Sequence, residues 1–368
     1  MMDPRLQTMQ TLIQQADLDA IALIPGANLQ YLTGVEFHLM ERPLVAFFLP
    51  DRDPVAVVPA LEQERLRASG LPFVVFPWSD TDGYHGAFEA AARELRLDGK
   101  RVGVEELRMR VLEAELIRRH IPDVQLVLAG DALAGLRLRK DTAAIAALRA
   151  AIAISEDALR ATIEQVRPGM TERAIAGILA VEQLRRGGGR LPFETIVLSG
   201  PNCALPHGEP GDRPVAEGEP LLFDFGTTVR GWASDITRTF AVGEPSARLA
   251  EVYAVVQAAN EAGRAACGPG VPAQEVDRIT RQVIEEAGFG PYFTHRTGHG
   301  LGLEAHEGPN IVAGNRHPLE PGNVFTIEPG IYIPGEVGVR IEDNVVITGD
   351  GAESLTTFPR DLIVLGRE

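Results

Sequence analysis

Short apolar runs alternate with helix-type patterns along the first third of the chain. Residues 4–15 place their apolar side chains on one stripe of a helix. Six short apolar runs predict strands at residues 20–25, 44–48, 55–58, 73–76, 101–104 and 124–128. Residues 86–95 and 107–120 predict helices between some of these strands. The alternation is typical of an α/β domain with a partly parallel sheet.

Helices and hairpins make up the rest of the chain. After a mixed segment at residues 129–140, helical patterns occur at residues 141–165, 171–187, 246–267 and 273–286. Residues 323–347 predict a hairpin with a Pro/Gly-rich turn. The spacing suggests two halves, each a helix pair followed by a hairpin, without an exact internal repeat. We therefore expect a second domain of α+β type.

A further hairpin is predicted at residues 221–240, LLFDFGTTVRGWASDITRTF. If Val229 and Arg230 form its loop, Asp224 lies directly opposite Asp235. Like charges that face each other on paired strands are destabilising, and a divalent cation between them would resolve the conflict. The alternative is a shifted register in which both acids are solvated turn residues.

Three more residues are candidate ligands. Taken singly, His299 is typical of a hydrogen-bonded loop histidine, Glu328 of a solvated strand end, and Glu342 of a surface ion pair with Arg340. Together with the two aspartates, however, they give two hairpins with two carboxylates each, plus one imidazole. Such a set suits two cations, and its hard oxygen ligands favour manganese, cobalt(II) or iron(II), although zinc is also chemically suitable.

Composition excludes some partners and favours one location. The 368 residues are 45% hydrophobic and 23% charged, and the net charge of −16 argues against nucleic acid and anionic membrane as partners. Cys203 and Cys267 are too few for a disulfide scaffold, so we expect a reducing, cytoplasmic location. The first residues lack a signal-peptide pattern, and no apolar run approaches the ~20 residues that span a bilayer.

Five motifs in order carry a family resemblance: D-F-G (224–226), S-D-I-T-R-T (234–239), G-H-G-L-G-L-E-A-H-E (298–307), I-E-P-G-I-Y (327–332) and R-I-E-D-N-V (340–345). The set resembles the pita-bread metallopeptidase family, in particular its Xaa-Pro peptidases, prolidase and aminopeptidase P. Residues 18–35, LDAIALIPGANLQYLTGV, are similar to the start of a creatinase-type N-terminal domain. The resemblance implies a creatinase-like α/β domain at residues 1–132 and a pita-bread catalytic domain at residues 136–368.

The resemblance also implies a ligand set for two divalent metal ions, most suitably manganese, with cobalt, iron or zinc as alternatives. Asp224 would chelate the first ion, Asp235 and Glu342 would bridge the two, and His299 and Glu328 would complete the second. A water held as hydroxide between the ions would attack the substrate carbonyl, with Glu328 as candidate general base.

Four further residues acquire roles in the same way. His207 would lie near the scissile carbonyl or the proline, and His306 would hydrogen-bond the substrate or the tetrahedral intermediate. His295 would line the substrate pocket, the alternative being that it braces a loop. Arg340 would orient Asp224. The glycines around His299 are expected to let the backbone pass close to the metals.

The implied activity is hydrolysis of the bond between an N-terminal residue and a following proline, with Xaa-Pro dipeptides as the expected substrates. An Xaa-Pro aminopeptidase that acts on longer peptides is the alternative within the class. A metal-free creatinase-type amidinohydrolase and a non-catalytic binding module are alternatives of other classes, and both are expected to lack the full ligand set.

The N-terminal domain is expected to mediate homodimer formation. In dimeric relatives the loop that corresponds to residues 34–43 leans over the partner's active site. His38 and Arg42 of that loop are candidates for recognition of a dipeptide carboxylate. The alternative is an ordinary solvated loop.

Overall fold

The structure is a computed structural model that describes residues 3–366. It divides into two compact units, Met1–Arg137 and Leu138–Glu368. The outermost limits predicted for the domains, residues 1 and 368, lie outside the described range. The predicted gap between the domains, residues 133–135, falls inside a helix of the first unit, Gly130–Arg137.

The first unit is an α/β domain. Its strands are β1 (Ala20–Leu23), β2 (Val45–Phe48), β3 (Val55–Pro59), β4 (Val74–Trp78), β5 (Arg101–Val104) and β6 (Gln125–Leu128). Its helices are α1 (Pro4–Gln15), α2 (Ala27–Thr33), α3 (Gln63–Arg67), α4 (His85–Leu95), α5 (Val111–His120) and α6 (Gly130–Arg137). The strands form one sheet in the order β4-β3-β2-β1-β5-β6, with β1–β2 and β2–β3 antiparallel and the other pairs parallel.

Both faces of this sheet are covered, as expected for a partly parallel sheet. Alternate residues of a strand point to opposite faces. Ala20 and Ala22 accordingly pack with α4 and α5, whereas Ile21 and Leu23 pack with α1 and α6. The sequence pattern found the strands and three of the six helices. It missed α2, α3 and α6, and it began α5 four residues too early.

The second unit combines four helices with a series of short strands. The helices are α7 (Thr142–Ile163), α8 (Glu172–Arg185), α9 (Ala247–Ala265) and α10 (Ala273–Glu286). The strands are β7 (Ile196–Ser199), β8 (Pro220–Phe225), β9 (Thr228–Val229), β10 (Trp232–Ala233), β11 (Ile236–Val242), β12 (Gly298–Gly300), β13 (Glu307–Ile311), β14 (Val324–Ile327), β15 (Gly330–Ile333), β16 (Val337–Arg340), β17 (Asp343–Ile347), β18 (Ala352–Ser354) and β19 (Val364–Leu365). Side chains of Asp141, Thr171 and Ser246 cap α7, α8 and α9 by accepting backbone N–H groups.

Each helix pair of this unit packs against the hairpin that follows it. Leucines of α7 and α8 contact Phe223 and Phe240 of the β8–β11 pair. Valines of α9 contact Ile331 and Val339 of the β15–β16 pair, and α10 packs against β14. The chain therefore repeats the order helix, helix, hairpin, as the spacing suggested.

The register of the first hairpin differs from the predicted one. Thr237, and not Asp235, lies opposite Asp224. The loop is Arg230-Gly231, with φ values of 53° and 83°, which is the left-handed pair of a type I′ turn. The predicted facing pair is therefore wrong by two positions. Because the shift is even, the two aspartates still belong to the same face of the ladder.

The second hairpin is split into two ladders. In the outer ladder Ile327 of β14 lies opposite Asp343 of β17, and in the inner ladder Gly330 of β15 lies opposite Arg340 of β16. Glu328 and Glu342 occupy the break between the ladders, one on each arm. The fold thus places two acids at matching positions of the hairpin.

No helix within residues 3–366 is long and apolar enough to cross a bilayer.

Candidate metal centre and active site

The second unit brings the five predicted ligands together. They lie on or beside five strands: Asp224 on β8, Asp235 before β11, His299 on β12, Glu328 after β14 and Glu342 before β17. In one group Asp224, Asp235 and Glu342 each place a ligand atom within 4.8 Å of the others. In a second group His299, Glu328 and Glu342 do the same. Glu342 belongs to both, so the structure contains two adjacent donor groups that share one carboxylate.

A third group joins Asp235 and His299 to His306, again with ligand atoms within 4.8 Å. The rings of His299 and His306 lie 4.0 Å apart between centroids, at 69°. Asp235 therefore belongs to two of these groups. It shares one group with Glu342 and the other with His299.

Two carboxylate oxygens in the cluster are buried and have no hydrogen-bond partner within residues 3–366. Glu342 accepts a hydrogen bond from the Thr237 hydroxyl on Oε2 at 2.6 Å, but its Oε1 has none, and neither has Oδ1 of Asp224. A buried carboxylate oxygen without a partner costs about 1–3 kcal/mol or more. A divalent cation would supply the missing partner for both atoms.

His299 adds a nitrogen ligand that suits a divalent cation. Its Nδ1 lies 3.2 Å from the carbonyl oxygen of Gly300, and since a carbonyl accepts only, Nδ1 carries the proton. Its Nε2 lies 3.3 Å from Glu328 Oε1 and 3.7 Å from Asp235 Oδ2. Burial, and then the charge of His306, hold the pKa of His299 well below its usual range. A neutral imidazole lone pair therefore faces two carboxylates, an arrangement that fits a cation and not a proton.

The carboxylates repel one another strongly. Burial first, and then the charges of Glu342 and Asp224, raise the pKa of Asp235 well above its usual range. Burial and neighbouring acids do the same to Glu342. Burial also raises the pKa of Glu328 to about 7. The set of ligand atoms thus fits divalent cations. Such cations would offset the repulsion and would give the two buried oxygens a partner.

Glycines around His299 leave space for neighbouring strands. A Cβ on Gly298 would lie 1.8 Å from the carbonyl oxygen of Thr326, and one on Gly300 would lie 1.9 Å from that of Gly308. The sequence predicted that these glycines let the backbone pass close to the metals. In the structure they let the backbone of neighbouring strands pass close to β12, which carries His299.

A chain of hydrogen bonds supports Asp224 from behind. Arg340, which is buried, donates from Nη2 to Asp224 Oδ2 at 2.5 Å and from Nη1 to the Tyr332 hydroxyl at 2.8 Å. The hydroxyl lies 2.8 Å from Nε2 of His295, whose Nδ1 lies 2.7 Å from the carbonyl oxygen of Arg296. Burial lowers the pKa of His295 to about 4, so the ring is neutral and Nε2 accepts from Tyr332.

A cavity of about 500 Å³ opens onto the cluster. It is lined by His207, His295 and His306, the three histidines predicted to bind the substrate, and by Arg340. The wall also has three apolar members, which are Phe193, Ile196 and Pro206. The site thus combines a buried acidic floor with histidines and an apolar wall.

Sequence reasoning missed three parts of this site. Thr237 shares the strand face of Asp235 at a spacing of two, a signal that was available in D-I-T-R-T. Tyr332 closes the I-E-P-G-I-Y motif but was given no role. The apolar wall had no signal, because single apolar residues occur everywhere in a sequence.

Three other residues considered in the sequence have ordinary surroundings. Burial raises the pKa of the Cys203 thiol, which contacts the carbonyl oxygen of Leu198 at 3.1 Å, so it is a buried cysteine and not a nucleophile. In the first unit Arg42 donates twice to Asp80, at 3.0 and 2.7 Å, and His38 is exposed in the same loop.

Comparison with known proteins identifies both units. A model of metallopeptidase family M24 matches residues 146–349, and a model of the creatinase/prolidase N-terminal domain matches residues 5–139. An Xaa-Pro dipeptidase of Lactobacillus delbrueckii subsp. lactis is 36% identical over 98% of both chains.

Solved structures give the same result. A prolidase from Thermococcus sibiricus has a TM-score of 0.92 and 34% identity over 99% of this chain and 100% of that one. The dipeptidase PepE of Mycobacterium ulcerans has a TM-score of 0.90 and 37% identity over 98% of this chain and 97% of that one. The predicted fold, a creatinase-type N-terminal domain followed by a pita-bread domain, is confirmed. The chain therefore belongs to metallopeptidase family M24, and it is a hydrolase that uses divalent metal ions.

Proposed function

We propose that this chain is an Xaa-Pro dipeptidase with two metal ions at its centre. The observation that carries the proposal is the pair of donor groups that share Glu342 beneath an apolar-walled cavity. The names of the relatives, an Xaa-Pro dipeptidase and a prolidase, support the substrate class.

Asp224, Asp235 and Glu342 would hold one ion, and His299, Glu328 and Glu342 the other. Four carboxylates and a single imidazole form a mostly hard donor set, so manganese is the proposed metal, with cobalt, iron and zinc as alternatives. When bound, such ions supply Lewis-acid polarisation of a carbonyl group and make water acidic enough to attack it at neutral pH.

Glu328 moves the proton. Its carboxylate lies in the cluster, and its Oε1 accepts a hydrogen bond from the Thr326 hydroxyl at 3.2 Å, which fixes its orientation. It accepts the proton of the attacking water and passes it to the proline nitrogen as the amide bond breaks. The amide nitrogen leaves as an amine only when it gains a proton, and this proton is the one that Glu328 delivers.

The histidines and the apolar wall hold the substrate. Burial lowers the pKa of His306, which leaves a neutral ring that donates a hydrogen bond to the oxygen of the carbonyl under attack. His207 borders the same cavity and binds the substrate beside it. Phe193, Ile196 and Pro206 offer an apolar surface for the proline ring and exclude water from the reacting bond.

The test compares Ala-Pro and Met-Pro with Ala-Pro-Ala, and uses Ala-Ala as the control peptide. Enzyme stripped by a chelator should be inactive, and added manganese or cobalt should restore hydrolysis of the dipeptides. We expect kcat/KM for Ala-Pro to exceed that for Ala-Pro-Ala at least tenfold. Glu328→Gln should abolish turnover, whereas Glu336→Gln, at the exposed tip of the same hairpin, should not.

Two outcomes would contradict the proposal. Faster hydrolysis of Ala-Pro-Ala would identify an Xaa-Pro aminopeptidase. Unchanged hydrolysis after exhaustive metal removal would exclude the metal-dependent mechanism.

A cytoplasmic homodimer is the proposed form of the enzyme. The acidic composition, the two free cysteines and the N-terminal unit shared with creatinase and prolidase proteins support it. Sedimentation would test the assembly. The kinetics of a His38→Ala/Arg42→Ala variant on Ala-Pro would test whether that loop contributes to dipeptide recognition, and unchanged kinetics would exclude it.

A further inference from the structure

A fully buried arginine, Arg238, lies beside the proposed metal ligands. Its side chain is 1% exposed. Its N–H groups donate to one carboxylate and four carbonyl oxygens, those of Asp343, and of Thr237, Glu342, Phe358 and Pro359. An arginine has five N–H donors, so all of them are used.

One of these bonds reaches a proposed metal ligand through its backbone. Arg238 Nη1 donates to the carbonyl oxygen of Glu342 at 2.6 Å. The preceding residue, Thr237, donates its hydroxyl to Glu342 Oε2 at 2.6 Å and accepts the Glu342 N–H on its carbonyl at 3.1 Å. Because consecutive strand residues point to opposite faces, Thr237 and Arg238 approach Glu342 from opposite sides.

Asp343, the residue after Glu342, also helps to fix the backbone of Glu342. It is completely buried and pairs with Arg238 at 2.8 Å, Arg360 at 2.6 Å and Arg264 at 3.4 Å. Of these three arginines, Arg238 is the one that also bonds Glu342 itself. The arginine therefore joins β11, which begins after Asp235, to the start of β17.

We propose that Arg238 is a positioning residue that fixes Glu342 through its backbone before any metal ion binds. The inference rests on the proposed function, because it gives Glu342 the role of the shared ligand. A carboxylate whose backbone is already held loses less freedom when an ion binds, which raises affinity at both donor groups.

If Arg238 were only a partner in a structural ion pair, a different result would be expected. Burying an ion pair adds little net stability compared with apolar packing, and breaking any one partner is destabilising. On that reading Arg238 and Arg360 are equivalent, since both pair with Asp343. Under our proposal the two arginines differ, because Arg360 makes no contact with Glu342 among the hydrogen bonds of the described residues.

The test uses Arg238→Lys and, as the matched control, Arg360→Lys. Lysine keeps the charge but loses the forked donors. Manganese binding to the stripped proteins is measured by calorimetry, and cobalt binding by visible absorption. We expect Arg238→Lys to weaken manganese binding 10–100-fold, the usual effect of removing a group that orients a ligand, and Arg360→Lys to weaken it less than threefold. Equal affinities for the two variants, whether near that of the wild type or lowered alike, would overturn the proposal.

A measurement on the unaltered protein covers the case in which Arg238→Lys does not fold. Hydrogen exchange of the peptide that contains Glu342 is followed with and without manganese. The Glu342 amide donates to the carbonyl of Thr237, the residue before Arg238, so it is protected equally in both states if this part of β11 fixes the segment in advance. Protection that appears only with manganese would show that the ion, and not Arg238, orders this segment.

Failure of the inference and failure of the proposed function give different results. If the wild type binds no manganese or does not cleave Ala-Pro, the proposed function fails. If the wild type does both while Arg238→Lys matches Arg360→Lys, only the role of Arg238 fails.

Discussion

Replacing Glu328 with glutamine should stabilise the metal-free protein while it destroys activity. The carboxylate of Glu328 is 14% exposed and burial raises its pKa to about 7, from an ordinary value of 4.5. A folded-state pKa above the unfolded one contributes stability that is complete below pH 4.5 and is lost as the pH rises through 7. At neutral pH the metal-free fold therefore carries a penalty that a neutral glutamine avoids.

The size of the penalty follows from the same values. A pKa of about 7 against 4.5 corresponds to about 3 kcal/mol at pH 7 and above, at about 1.4 kcal/mol per pKa unit. For a unit of this size, 1 kcal/mol shifts the melting temperature by about 2–4 °C. Metal-free Glu328→Gln should therefore melt about 6–12 °C above metal-free wild type at pH 8, and the difference should vanish near pH 4.5.

Calorimetric melting of the stripped proteins between pH 4.5 and 8 measures this difference. The control is Glu261→Gln, an exposed glutamate on α9, which should melt with the wild type throughout. Added manganese should reverse the order, because an amide is a poor ligand and the wild type gains more from binding. A metal-free wild type that melts at or above Glu328→Gln at pH 8 would refute the reasoning.

Three further predictions concern the residues around the cluster. Tyr332→Phe removes the hydroxyl between Arg340 and His295 and should lower kcat about tenfold or more in steady-state kinetics with Ala-Pro, while calorimetry shows manganese still bound, since no ligand is lost. Gly298→Ala forces a Cβ into a carbonyl oxygen at 1.8 Å and should destabilise the fold by at least about 3 kcal/mol in urea unfolding, whereas Gly177→Ala, an unobstructed position inside α8, should gain about 1 kcal/mol. Because the pKa of His295 falls to about 4 from 6.5, its contribution to stability is complete above pH 6.5 and is lost as the pH falls towards 4, so His295→Gln should flatten that part of the curve of unfolding free energy against pH.

The sequence predicted which residues cluster better than it predicted their geometry. Asp224 and Asp235 do share a cluster, but they are not directly opposed. The turn that sets the register uses Arg230 in a left-handed conformation, where Asn, Asp or Gly is the usual residue. Nothing in the residue type announced that conformation, so the loop was placed one residue too early.

Helix α6 was missed for a related reason. Its sequence begins with Gly130 and has Gly135 in its interior, and glycine lowers the expectation of a helix. Packing of Leu133 and Leu136 into the core of the first unit outweighs that weak propensity.

The supporting contacts of the site were only partly within reach. The bonds of Arg340 to Asp224 and of Arg238 to Glu342 both join residues more than 100 positions apart. The family resemblance implied the first bond, whereas nothing in the sequence indicated the second, because local patterns carry no information on such distant pairs. The ordered motifs indicated the candidate ligands because metal chemistry restricts residue types.

Glu342 is the last of the five proposed ligands along the chain, and it belongs to both donor groups. A polypeptide still being synthesised would therefore carry the two aspartates, the histidine and Glu328 before either group is complete. Because the same residue completes both groups, the chain would gain its capacity for two ions in one late step.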